Sequence, residues 1–194
     1  MSSIIGHAAT GAAAYLACNQ LGNKRSWWAL PAFMFVAICP DFDYFAIWLF
    51  NYSANPRISH SILFAVAMSL LTWWGTRHLA RRTSVTAPFV AFLLAALSHP
   101  LLDLLVGAHS VPLFWPLHNQ DVSAPGILPS AGRLAIGNYY LWRNLLIESA
   151  VLLPVLTLLV ALARKNPIRI IARRALFVVP VWLVFLAWSL GLRR

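Results

Sequence analysis

Six apolar runs of close to membrane-spanning length, at about residues 3–21, 27–50, 60–79, 87–106, 140–163 and 170–192, restrict what this chain can fold into. A helix needs roughly 20 predominantly apolar residues to cross the bilayer hydrocarbon, because each residue advances it by about 1.5 Å. It also satisfies its own backbone hydrogen bonds, which lipid cannot do for it. The pattern predicts an all-α, polytopic transmembrane helix bundle of about six helices. Composition agrees: 10% of the 194 residues are charged, against about 25% in a soluble domain. The longest polar stretch, about 107–138, holds Pro112, Pro116, Pro125 and Pro129 with Gly107, Gly126 and Gly132, and is read as an outer loop. It is too short for a second domain, so residues 1–194 are expected to form a single membrane-embedded domain.

The second run is broken by Pro40-Asp41-Phe42-Asp43. Proline lacks a backbone donor and crowds the preceding turn, so the helix is expected to kink or stop there. The apolar stretch before the break reaches only about 20 Å of a ~30 Å core, which puts Asp41 and Asp43 below the membrane surface. Residues 44–50 then cross, re-enter or lie flat. The first run is expected to stay in the mature protein, since Lys24 and Arg25 follow it rather than precede it. Cys18 and Cys39 form no C-x-x-C pair and read as small buried hydrophobes.

A net charge of +10 would suggest nucleic acid in a soluble protein. Here the basic residues fall mainly between apolar runs, the pattern of topology and anionic-lipid contact, and no nucleic-acid partner is expected. Lys24, Arg25, Arg77, Arg81, Arg82, Arg164, Lys165, Arg169, Arg173 and Arg174 share one side. Arg57, Arg133, Arg143, Arg193 and Arg194 share the other. The positive-inside rule makes the first side cytoplasmic and places the N-terminus outside.

That topology gathers the rare polar residues. His7 begins the first helix; Asp41 and Asp43 end the second; His60 opens the third, after Ser59 as a candidate N-cap. His99 and Asp103 lie near the end of the fourth, one turn apart on one face, and Glu148 lies in the first turns of the fifth. His99 and Glu148 both come about 10 Å beneath the outer edge by helix rise. Ionisable groups inside a bilayer cost at least about 2.5–3.5 kcal/mol each on insertion scales, so seven together need compensation. A divalent cation supplies it: Asp, Glu and neutral His are its ligands. His7, Asp41, Asp43, His60, His99, Asp103 and Glu148 are the candidate metal ligands, with Asp43 or Glu148 as candidate catalytic base, and one or two ions, zinc foremost, are expected. The plain alternatives are a core histidine at His7, a Glu148 salt bridge to Arg143 or Arg133, and a hydrogen-bonded His99/Asp103 clamp. His78 reads as solvated, and the roles of His109, His118 and Asp121 stay open.

The same residues carry a family resemblance. His7 with Gly11, Pro40-Asp41-Phe42-Asp43, Ser59-His60-Ser61, Ser98-His99 with Asp103, and Val111 to Trp115-Pro116 resemble the YdjM-like family in its order, over about residues 4–150. Glu148 matches a late acidic position. The resemblance implies a bacterial inner-membrane, metal-dependent hydrolase, sometimes regulated by the SOS repressor LexA, and it adds Trp115 to the substrate-side residues. The family is in turn distantly similar to zinc-dependent phospholipase C. Two departures stand out: Asn55-Pro56-Arg57-Ile58 precedes Ser59 where many members have His-Arg-Gly, and Tyr44 follows Asp43 where many have histidine.

The expected function is hydrolysis of a phosphoester or phosphodiester of a membrane lipid at the outer leaflet, by metal-activated water, with the site facing the periplasm or exterior. Arg57, Arg133 and Arg143 are expected to hold the phosphate, which arginine's planar fork suits. The rival readings are an ion- or proton-coupled carrier and a non-catalytic, metal-stabilised scaffold. Crowding of the polar residues at one face argues against a carrier, whose sites lie near the midplane.

Overall fold

The computed structural model describes residues 3–18, 24–52, 55–79, 87–130 and 135–192. Arg81, Arg82, Arg133, Arg193 and Arg194 fall outside them. Among the described residues the chain is helical, with one isolated β-bridge between Val111 and Val122. Its helices are α1 (Ile4–Cys18), α2 (Leu30–Ile38), α3 (Asp43–Phe50), α4 (Ile62–Leu79), α5 (Phe89–Val106), α6 (Tyr139–Ala163) and α7 (Ile168–Gly191). A 3₁₀ turn over Cys39–Phe42 joins α2 to α3, so these two are one interrupted rod and the bundle has the six expected members. Among the described residues four stretches are long and apolar enough to cross a membrane: Trp27–Ile47, Phe89–Val106, Tyr139–Ala163 and Ile168–Gly191. α1, at 15 residues, is shorter. Leu153, Leu158, Leu162, Leu176, Phe177 and Val184 point outward, which suits lipid and not water.

The break in the second rod has a local cause. Pro40 cannot donate to Val36 O, and Cys39 Sγ takes that carbonyl instead, at 3.4 Å. The tight turn then aims Asp41 inward and leaves Asp43 at the start of α3. A second correction falls at α4. The helix begins at Ile62, with Phe64 N donating to Ser61 Oγ at 3.2 Å, so Ser61 and not Ser59 supplies the cap. His60 sits just outside, in the 3₁₀ turn Ile58–His60.

Two contacts fix how α1 lies. Both oxygens of Glu148, near the start of α6, accept from Ser3 N (3.0 and 3.3 Å). Near the far end, Arg164 Nε donates to Leu16 O at 2.6 Å. α1 and α6 therefore run side by side in one direction. α7 returns, and Ser189 Oγ near its end donates to Ile127 O of the long loop at 2.5 Å. The end of α7 thus lies on the same side as the start of α1.

Below the polar end, Tyr15, Phe33 and Phe92 fill the centre, the two phenyl rings stacked at 4.1 Å. Ala91, Ala95 and Ala96 keep α5 thin where it meets them. Gly11 lets α1 lie against α2: a Cβ there would stand 2.5 Å from Phe33 O and 2.9 Å from Met34 Cα. Both obstacles are backbone, so neither can turn aside. Gly11→Val is expected to cost about 2–3 kcal/mol, which lowers the thermal midpoint by on the order of 5–10 °C. A melting curve of the purified variant checks this; Gly137→Ala, where nothing lies within 4 Å, is the control.

Candidate metal centre

Four of the six rods deliver side chains to one buried point. His7 comes from the second turn of α1, Asp41 from the 3₁₀ turn after α2, His60 from the turn before α4, and His99 and Asp103 from α5. All five are buried, His7 and His99 completely. Thr10 Oγ1 and Ser98 Oγ share a hydrogen bond of 2.8 Å that draws α1 onto α5, and the His7 and His99 rings stack at 3.8 Å.

The separations are informative. His60 Nε2 stands 3.4 Å from Asp103 Oδ2 and 3.8 Å from Asp41 Oδ1. His99 Nε2 stands 3.6 and 3.7 Å from the same two oxygens. His7 Nε2 faces the other oxygens of the pair, Asp103 Oδ1 at 3.6 Å and Asp41 Oδ2 at 3.8 Å. Hydrogen bonds would be about 2.7–3.2 Å. Donors bound about 2.1 Å from one ion at tetrahedral angles stand about 3.4 Å apart. The observed spacing is too long for hydrogen bonds and close to that expected of ligands around one ion. It also yields two overlapping donor sets, His7/Asp41/His99 and His60/His99/Asp103.

The proton inventory points the same way. His99 Nδ1 donates to Ala37 O, the carbonyl freed at the end of α2, at 2.8 Å. Ser59 Oγ donates to Asp43 Oδ2 at 3.0 Å, so it accepts from His60 Nδ1, also at 3.0 Å. The His60 and His99 rings therefore carry their protons on Nδ1 and present bare Nε2 lone pairs to the centre. His7 Nε2, His60 Nε2, His99 Nε2 and both Asp41 oxygens have no hydrogen-bond partner. Buried acceptors without donors are costly, and two buried carboxylates more so. A divalent cation is the group these residues fit.

The other expected site residues are placed elsewhere. Asp43 does not join the cluster. Arg57 holds its carboxylate through Nε and Nη2 at 2.8 and 2.7 Å, and Asp43 reaches the centre only through Ser59 and His60. Arg57 also donates to Tyr44 Oη at 3.2 Å and lies over that ring. Tyr44 thus occupies the arginine alongside Asp43. Glu148 anchors the start of α1, above His7, instead of joining the cluster. Arg143 is spent on Asn144 Oδ1 and the Tyr140 ring, away from the centre, and the Glu148–Arg143 pairing is not formed. Trp115 lies in the long loop, half-buried, and does not line the cleft at the centre.

That cleft is lined by Arg57, His60, Asp103, His109, Ser110, Val111 and Pro112, with room for about one water molecule. His109 is the residue whose role the sequence left open. Gly107, at φ +62°, ends α5, and the loop returns so that Ile127 N and Leu128 N both bond Leu105 O. Leu113 O meanwhile accepts from Ile62 N at the start of α4. Together these contacts hold His109 over the donors. Partial burial and the nearby positive charge of Arg57 push its pKa below the ordinary histidine value, so it is neutral at pH 7. Ser110 Oγ donates to Asp121 Oδ2 at 3.0 Å, which ties Asp121 to this segment, whereas His118 caps a local turn.

The fold and cluster define a helical membrane protein with a buried histidine–aspartate donor set near one end. The chain belongs to the YdjM inner membrane protein family, whose sequence model matches residues 1–190. No curated protein and no solved structure matches it.

The supporting residues give a first test of the centre. Asp43→Asn and Ser59→Ala leave all five donors in place but loosen the His60 ring. Each is expected to weaken divalent-metal affinity about 10–100-fold, read by competition against a chromophoric chelator. Unchanged affinity in both would contradict the role given to Ser59.

Proposed function

We propose that the chain is a membrane-embedded, metal-dependent hydrolase acting on a phosphoester or phosphodiester of a membrane lipid. One observation carries the reading: five buried side chains from four rods converge at ligand–ligand spacing, and His60 and His99 turn bare Nε2 lone pairs towards the carboxylates. Neutral imidazole with carboxylate suits one or two zinc ions. Such an ion supplies Lewis-acid polarisation of a phosphoryl oxygen and a water activated near neutral pH. Asp41 and Asp103 hold it with His7, His60 and His99. Asp43 and Ser59 keep the His60 proton on Nδ1, and Arg57 holds the Asp43 carboxylate in place through two hydrogen bonds. Neutral His109, at the rim of the cleft, is within reach to take a proton from water and then, as imidazolium, to pass it to the leaving group.

Two features favour this over a scaffold or a carrier. A structural ion is enclosed by its ligands, whereas here a cleft leads in past Arg57 and His109 to His60 and Asp103. The chain's five carboxylates also gather at one end of the bundle rather than at its midplane. The positive-inside rule supports placing that end outside, in a multi-pass inner-membrane protein, and its recessed position suits a substrate presented by the bilayer.

The test is turnover by purified protein in nanodiscs on a panel of phospholipids and polyprenyl phosphates. Release of phosphate or headgroup, abolished by chelator and restored by added zinc or manganese, is expected. Bound metal with no turnover across the panel would leave the scaffold reading instead.

A further inference from the structure

A second cavity lies at the other end of the bundle. Between α6 and α7 runs a groove of about 300 Å³. Leu158 and Ala161 of α6 and Ile171, Ala175 and Val178 of α7 wall it. One end is closed by Trp182, whose Nε1 donates to Val151 O at 2.9 Å. Asn166 and Arg174 stand at the other. From Pro154 to Ala163 the groove follows α6 for about 14 Å, close to the depth of one leaflet in a ~30 Å core. Its apolar walls and length suit an extended hydrocarbon chain.

The polar end is cationic. Arg164, Lys165, Arg169, Arg173 and Arg174 fall within one turn-and-a-helix-start, and Arg164 is committed, to Leu16 O. Arg174 makes no ion pair among the described residues. The chain's five carboxylates, Asp41, Asp43, Asp103, Asp121 and Glu148, all lie towards the metal centre, so none can neutralise this cluster. Apolar slot and unneutralised arginine together match one ligand class. We propose that the α6–α7 groove binds one anionic phospholipid, with an acyl chain between the helices and its phosphate on Arg174 and Asn166.

The full chain in a neutral detergent, titrated with phosphatidylglycerol or phosphatidylcholine, tests this through the thermal midpoint. Phosphatidylglycerol is expected to raise the midpoint at lower concentration than phosphatidylcholine does. Arg174→Gln should weaken its apparent affinity about fivefold, as loss of one lipid-facing basic charge implies. Ala175→Trp, which fills the slot, should remove the stabilisation by both lipids. Arg174 is exposed, so its replacement keeps the test intact even if the tryptophan variant misfolds. Equal effects of the two lipids, or a phosphatidylglycerol effect untouched by Arg174→Gln, would overturn the proposal. So would a monomer–dimer shift lost on Ala175→Trp, which would assign the groove to a second copy of the chain.

Discussion

Chelation lowers the thermal midpoint of the purified protein by on the order of 10 °C. This is expected because Asp41 and Asp103 are buried side by side, and two of the imidazoles facing them, His60 and His99, turn bare Nε2 lone pairs towards them. A site filled at 100- to 1,000-fold above its dissociation constant stabilises by about 3–4 kcal/mol, and each kcal/mol is about 2–4 °C in a chain of this size. The effect should reverse on adding back zinc and should shrink in His99→Ala, which has less affinity to lose. Differential scanning fluorimetry in detergent, with and without EDTA, reads it directly. A midpoint that chelator leaves in place would mean that the carboxylates are compensated in some other way.

The second large effect is on turnover. Asp41→Ala and His99→Ala each remove a donor while leaving the cleft residues Arg57 and His109 in place. Loss of metal-derived stabilisation of several kcal/mol implies a fall of about 10³-fold or more in hydrolysis. Glu148→Gln is the informative contrast. Its carboxylate bonds Ser3 N and no donor of the cluster, so the amide should retain metal while stability falls. Equal loss of metal in Glu148→Gln and His99→Ala would return Glu148 to the ligand set.

Much of the fold is legible in the sequence because lipid imposes a simple rule on it. Apolar length sets the rods, and their ends fall within a few residues of those expected. The interruption at Pro40 follows from a missing donor. The sequence also singles out His7, Asp41, His60, His99 and Asp103, the five side chains that the structure brings together, because ionisable residues are rare in apolar runs. What it does not carry is side-chain direction where the backbone leaves the α-helix. Asp41 and Asp43 look alike on paper; the 3₁₀ turn separates them, and Arg57, fourteen residues on, claims the second. Glu148 has the depth of a ligand, but the backbone donor that occupies it arrives from the far end of the chain. His109 is invisible for the opposite reason: its place depends on a loop folded back by bonds at Leu105 and Leu113 that no periodicity encodes.

The central claim is that the five converging side chains hold a cation, and metal content of the protein purified in mild detergent without chelator tests it most directly. Inductively coupled plasma mass spectrometry should find at least one equivalent of divalent transition metal per folded chain, absent from His99→Ala. A folded, monodisperse preparation with no metal above the buffer blank, and none taken up from added zinc or manganese, would contradict the account.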